Sequence, residues 1–532
     1  MGCSTTNITK KRTELHLHTK MSEMSGLIEV EDVFKSAKDY GISAIAITDN
    51  HSVQSFSQAF EASIKFGIKA IYGTDIYVLN DNEACGLTTY HIVILVKEQS
   101  GIKNLYKIIS SLIKNESNDR CYINKSDLLN KREGLLIGCI LADSEGKEAS
   151  IAVVEKYPKE IDFCDYIEIQ PIGVHRGLNH TTTKSVVELQ KYNRRIVSFA
   201  EKQNIPVIAS CNAHYLNEED EICRKILLSY KNQFKDTDRR IYDENLYLRT
   251  TDDMLLEFSY LGEEKAHEIV ISNTNLISEM IQHIKPFPDN KYLPGTTDEL
   301  EKLVKKCNAR ANQIYGTDIP DHIKERLNNE IRYIIDNDYA SYYILAEKLV
   351  KYGKVQGGIV YVKGFLKNSI VSYLLGITDT MPIEECLPSV PEVDIRISNN
   401  IYKQVIQYLH HLFGEDNVFH CGKVHKFAAK LTSLTLRNFV DEYSSSKELN
   451  LDEEEKKRII NICQGVKQDT RGDVGCYLVV PQGYDIYDFT PIQYELFRPE
   501  KNIITHFTTD VLKNFLLVFI LAFFDQESYN PI

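Results

Sequence analysis

From Thr13 to about Ile226 the chain alternates short apolar runs with longer stretches in which apolar residues recur every three or four positions. "TELHLHT", "ISAIAITD", "IKAIYGTDIYVL", "YHIVILVK", "GLLIGCIL", "DYIEIQPI" and "IPVIASCNAHYL" have the composition and length of strands. "VEDVFKSAKDYG" and "SFSQAFEASIKFG" between them have helical periodicity and end in glycine. Strands alternating with helices predict a parallel sheet, open or closed into a barrel.

From about Lys231 to Ala340 the pattern turns helical, as in "EEKAHEIVISNTNLISEMIQHI" and "ELEKLVKKCNARANQIYG". The remainder mixes helical runs such as "YKQVIQYLHHLFG" and "KFAAKLTSLTLRNFVDEY" with a strand-like "YLVVP". The run "FLLVFILAFF" is far shorter than the roughly 20 residues a spanning helix needs and reads as a buried strand or helix. "DEEEKKR" reads as a solvated helix face.

A chain of 532 residues is too long for one core. The division expected is 1–226, 227–340 and 341–532. A formal charge of −13 opposes non-specific attraction to nucleic acid or anionic lipid, so any DNA contact must come from a local patch. Twelve cysteines without a CxxC pair, and no secretory signal, fit reduced thiols in a cytoplasmic protein with no membrane association. "MGCSTT" formally fits a myristoylation motif and reads instead as an unmodified start.

In "LHLHTK" two histidines lie at i and i+2, on one side of a strand. Asp49, Asp75 and His214 follow other strands, at the carboxyl ends where α/β folds gather active groups. His16, His18, Asp49, His51, Asp75, His91, Cys139, Cys211 and His214 form an inventory of metal donors, suited to divalent ions that activate a water against a phosphate ester.

"ELHLHTKMSEM", "GISAIAITDNHSVQSF", "GIKAIYGTDIYV", "HIVILVKEQSGIKNLYKIIS", "REGLLIG" and "LGEEKAHEIVISNTNLI" resemble the PHP domain and following segment of the PolC-type bacterial DNA polymerase III alpha subunit. "GITDTMPI", "LFGEDNV", "LVVPQGYDIYDFTPIQY" and "THF" resemble its palm region. The resemblance, over about residues 12 to 525, implies an α/β fold: a PHP-type (β/α)7 barrel, a helical segment, and a polymerase-β-like α+β palm remnant. It implies metal ligands at His16, His18, Asp75, His91 and His214, with Asp75 replacing a glutamate. It places polymerase carboxylates at Glu392 and Asp394, and a remnant of the nucleotide-binding loop at Lys363, Gly364 and Ser369.

Departures from that pattern are as informative. The family's inserted exonuclease is replaced by about "NEACGLTT", and its cysteine-rich zinc knuckle is reduced to Cys386. Ser25, Asn50 and Asn212 stand at a family aspartate, histidine and aspartate, and the family cysteine near "LLIG" falls at Leu141. Asparagine removes charge that a cation cluster needs. The third palm aspartate falls at Ile520, Phe365, Lys367 and Asn368 replace small residues of the loop, "QHPGG" becomes "GDVGC", and fingers, duplex-binding and clamp-binding regions are expected to be lacking.

These features predict a truncated, polymerase-inactive PolC relative with a binding or regulatory role. The alternatives are a metal-dependent PHP phosphoesterase, or a polymerase fragment working with another chain. At most one zinc-like or manganese ion is expected in the barrel, and magnesium only if the palm is active. DNA or replication proteins are the expected partners. Residues 341–532 hold 20 Lys and Arg against 24 Asp and Glu, a difference of −4. A stripe of Lys423, Lys426 and Lys430 at helical spacing is the one local basic feature, and a solvated surface is its plainer reading.

Overall fold

The computed structural model describes residues 10–79, 89–114, 121–141, 150–175, 185–232, 245–293, 298–316, 318–382, 392–444, 451–495 and 502–524. Residues 82–88 of the "NEACGLTT" connection, the "MGCSTT" start and Cys386 lie outside them. Packing divides the chain into two units, 1–287 with 424–469, and 288–423 with 470–532. This differs from a division into three consecutive segments because 424–469, inside the palm-like part of the sequence, packs with the N-terminal unit.

The first unit is built on a curled seven-stranded sheet: β1 (Ala44–Ile47), β2 (Lys69–Leu79), β3 (Thr89–Val96), β4 (Tyr122–Asn124), β5 (Leu135–Ile140), β6 (Tyr166–Ile169) and β7 (Val207–Ala209), in the order β1-β2-β3-β5-β6-β7 with β4 against β2. β3 runs antiparallel to both β2 and β5, and the other pairings are parallel. The sheet is therefore mixed rather than wholly parallel. "TELHLHT" is extended but pairs only through isolated bridges, Glu14 with Ile45 and Leu17 with Ala213, which set it between β1 and the segment after β7.

Leu15, Ala44, Ala46, Ile71, Val93, Leu95, Leu136, Ile140, Tyr166 and Ile208 fill the interior. Gly138 is required there, because a Cβ on it would lie 2.2 Å from the Tyr166 ring. The helices Val30–Asp39 and Phe56–Phe66 follow predicted periodicities; a further helix, Val186–Gln203, starts with a capping box formed by Ser185 and Glu188. "EEKAHEIVISNTNLISEMIQHI" is interrupted by a π-helical turn, Glu268–Ser272. From 424–469, helices Ala429–Ser444 and Glu453–Cys463 bury Leu436, Phe439, Ile459 and Cys463 against Met24, Leu27, Cys223 and Ile226.

The second unit carries another seven-stranded sheet: β8 (Val360–Val362), β9 (Val393–Ser398), β10 (Val418–Lys426), β11 (Lys467–Val479), β12 (Ile492–Tyr494), β13 (Ile503–Thr508) and β14 (Leu517–Phe524), ordered β12-β13-β10-β11-β14-β9-β8. The apolar run at the end of the chain is thus a central strand. Val393, Ile395, Ile397, Phe519 and Leu521 cover one face and pack on helices Asp298–Tyr315, Asp321–Asp336 and Ala340–Val355. Among the described residues no helix is long and apolar enough to cross a membrane.

Candidate metal centre and palm carboxylates

Two residues apart on an extended segment, His16 and His18 project to the same side and are fully buried. Their Nε2 atoms are 3.0 Å apart. Asp75 Oδ2, from β2, lies 3.5 Å from His16 Nε2 and 3.7 Å from His18 Nε2. Four donors placed tetrahedrally at zinc–nitrogen distances of about 2.0–2.1 Å would stand about 3.3 Å apart, so these three atoms face a common point at a spacing that fits one ion. Among the described residues no other group of three His, Cys, Asp or Glu ligand atoms converges this way.

The surroundings favour positive charge at that point. Burial disfavours protonated His16, but Glu168 and Asp75 outweigh it and raise its pKa to about 10. Burial also opposes ionisation of Glu168 and Asp75, yet His16 holds Glu168 below its ordinary value, and His91 with His16 holds Asp75 below its own. Burial lowers the pKa of both His18 and His214, helped at His18 by the charge on His16 and at His214 by His18 and Arg224, which favours the neutral imidazole that ligates.

The other expected ligands take different places. His91 bonds Asp75 through the second carboxylate oxygen, Oδ1, and holds that side chain in position. His214 stacks on His18 with ring centroids 4.0 Å apart, and its Nδ1 lies 3.1 Å from Ser25 Oγ. A hydroxyl at Ser25 thus orients a ring and brings no charge. Gly26 lets this loop close, since a Cβ there would lie 2.1 Å from the Thr19 carbonyl.

Asp49 accepts from Thr19 N, Ser22 Oγ and Ser55 Oγ, so it secures loops. Cys211 receives an Arg12 N–H at 3.1 Å in a buried cluster with Glu14, and Cys139 is buried within β5. Asn50 bridges to Asp75 through the backbone. His51 takes a left-handed φ of 50°, its Nε2 is buried without a hydrogen-bond partner, and burial lowers its pKa to about 4.

Glu168 and Gln170 are absent from the donor inventory, although the sequence carried a signal for them. "YIEIQ" places both on one face of a strand otherwise made of buried apolar residues. Glu168 is 1% exposed, and its Oε1 accepts His16 Nδ1–H at 2.8 Å, the carboxylate–histidine arrangement that turns Nε2 toward a metal.

In the second unit Asp394 lies on the more open face of β9, and its register partner on β14 is Ile520. Arg396, two residues on, reaches Asp394 Oδ2 at 2.8 Å, leaving Oδ1 buried without a hydrogen-bond partner. Lys513 binds Glu392 at 2.9 Å. Each carboxylate is answered by a cation of the same chain.

At the nucleotide-loop remnant, Lys363 is exposed and Gly364 has φ 62°. Ser369 caps the short helix Ile370–Leu374 by accepting from Ser372 N at 2.9 Å. Buried Glu330 accepts from Ser369 Oγ, and from Ile370 N at 3.0 Å, so a protein carboxylate already occupies that helix start. The lysine stripe is not a helix face. Lys423 and Lys426 end β10, where residues three apart point to opposite sides, and Lys430 belongs to the helix beginning at Ala429. Lys423 is also paired with Asp473 at 3.4 Å.

Residues 14–170 match the PHP domain family and residues 301–434 the bacterial DNA polymerase III alpha NTPase domain. DNA polymerase III PolC-type of Caldanaerobacter subterraneus subsp. tengcongensis is 32% identical over 518 residues, covering 87% of this chain and 36% of that protein. The Bacillus subtilis protein of the same name is 31% identical over 526 residues, covering 84% and 36%. The chain thus spans about a third of the length of these curated relatives. Among solved structures, an amidohydrolase from Chromobacterium violaceum superposes with a TM-score of 0.23 at 12% identity, over 37% of this chain and 86% of that one, too loosely to bear on function. Over most of its length this chain is a homologue of PolC-type DNA polymerase III, with matches to the PHP domain and to the alpha NTPase domain.

Proposed function

We propose that this replication-related chain does not polymerise DNA. Its seat for a divalent ion, zinc or manganese, is the barrel set His16, His18 and Asp75, and its biological role is binding or regulatory. The observation carrying this reading is Ile520 directly opposite an Asp394 already bound by Arg396. Two-metal phosphoryl transfer needs carboxylate oxygens free to clamp two cations, and an isoleucine with an internal ion pair provides no such clamp. Glu392 bound to Lys513, and Glu330 at the helix start a phosphate would use, support the same reading. DNA and replication proteins are the partners in keeping with this ancestry. Primer extension by the full chain with magnesium tests it. No product above a buffer blank is expected, and extension abolished by Asp394→Ala would overturn the reading.

Convergence of three ligand atoms favours a second reading, a metal-dependent phosphoesterase in the barrel. Bound there, a divalent ion would supply Lewis acidity and an activated water. His16, His18 and Asp75 would hold the ion and Glu168 would orient His16. Manganese-dependent hydrolysis of a phosphate ester, lost in His16→Ala, would favour this second reading.

A further inference from the structure

Three side chains, Glu168, Gln170 and Asn212, connect the two histidines. Glu168 Oε1 meets His16 Nδ1 at 2.8 Å and also accepts the Gln170 amide at 2.7 Å. The Asn212 amide reaches Gln170 Oε1 at 3.5 Å, and Asn212 Oδ1 lies 3.0 Å from His18 Nε2. The Asn212 amide group therefore places its NH2 on the Gln170 side and its carbonyl oxygen on the His18 side.

The backbone reinforces that aim. Asn212 has φ 49°, a left-handed conformation in which asparagine is enriched. The preceding residue is pinned, its N–H lying 3.1 Å from Glu14 Oε2, and Glu14 also accepts from His16 N at 3.0 Å. One buried glutamate therefore ties together the segments carrying His16 and Asn212.

We propose that the relay Glu168–Gln170–Asn212 presets the donor face of the barrel site. Asn212 Oδ1 is its fourth donor beside His16 Nε2, His18 Nε2 and Asp75 Oδ2, and Gln170 is a positioning residue that does not touch the ion. The inference rests on the single-ion reading of the barrel and goes beyond it by assigning coordination. Two imidazole nitrogens, one carboxylate oxygen and one neutral amide oxygen carry a single negative charge. Such a set suits one borderline dication and disfavours a second ion nearby.

Titration of the full chain with cobalt(II), followed by visible absorption, tests the relay without reference to activity. The wild type is expected to take up one equivalent with the intense visible bands of a low-coordinate nitrogen–oxygen site. Gln170→Leu should weaken binding by roughly 10–100-fold, as loss of an outer partner does, and change the spectrum. Asn212→Gly, which tolerates the positive φ, should do likewise, and Asn212→Asp should tighten binding. Circular dichroism should show all variants folded, and the isosteric Asn212→Asp keeps the test decisive if either of the others is not. Wild-type affinity and spectrum in Gln170→Leu and Asn212→Gly, or no tightening in Asn212→Asp, with His18→Ala inert, would overturn the relay alone. A wild type that takes up no cobalt would overturn the single-ion reading itself.

Discussion

The barrel site and the open face of β9 both hold carboxylates beside basic residues, yet they place their charges to opposite ends. In the barrel, hydrogen bonds engage the far sides of the donors, His16 through Glu168 and Asp75 through His91, and leave ligand atoms facing one point. On β9, Arg396 pairs with Asp394 through Oδ2, and Lys513 pairs with Glu392. Retained charge is therefore a poor guide to retained chemistry. What decides is whether the neighbours of a carboxylate hold it from behind or neutralise it from in front.

The largest effect expected from breaking this contrast is in the barrel. His18→Ala removes a donor, so divalent-ion affinity measured by chelator competition should fall by more than the roughly 10–100-fold that an outer partner costs. Unchanged affinity would mean that the ion sits elsewhere.

The palm offers the converse test. Ile520→Asp alone should give no new cation site, because Arg396 still binds Asp394. Ile520→Asp with Arg396→Ala frees one carboxylate beside another, and manganese binding should appear in calorimetry on a His16→Ala background. Equal binding by the single and double variants would contradict the neutralisation argument.

A smaller effect is expected for DNA. Without an aligned lysine stripe, primed duplex should bind with dissociation constants on the order of 10⁻⁶ M or weaker at physiological salt. Lys426→Glu should change this less than tenfold by fluorescence anisotropy. Nanomolar affinity removed by that substitution would reveal a basic surface.

The smallest effect concerns Glu330. Burial raises its carboxyl above the ordinary 4.5, while bonds from Ser369 and Ile370 work the other way. The folded state thus holds this proton more tightly than the unfolded state. Its contribution is fully present below pH 4.5 and is lost as pH rises through the folded-state value. Glu330→Gln should flatten that part of the stability–pH curve in urea titrations, and an unaltered slope would contradict the assignment.

Much of this was legible in the sequence. Alternation in "LHLH" put two imidazoles together, because period-two patterning is a local rule. Asp75, expected to follow a strand, lies instead within β2 and faces them from there. Ile520 was visible as an apolar residue at a carboxylate position, and its register opposite Asp394 gave that substitution its meaning. Less accessible were features fixed by long-range packing. Lys423 and Lys426 fit a helical spacing, but pairing in the sheet made their segment a strand. Residues 424–469 looked palm-like in sequence order and pack with the first unit because their apolar faces meet Met24, Leu27 and Cys223. The division of Asp75 between His91 and the two other histidines depends on side-chain directions that spacing does not specify.

The most direct test of the central claim is metal content after chelator-free purification, measured by elemental analysis in parallel for the wild type, His16→Ala and Asp394→Ala. A single divalent ion per chain, lost in His16→Ala and kept in Asp394→Ala, is the predicted result. Two or more tightly held ions, or loss of the ion in Asp394→Ala, would contradict it.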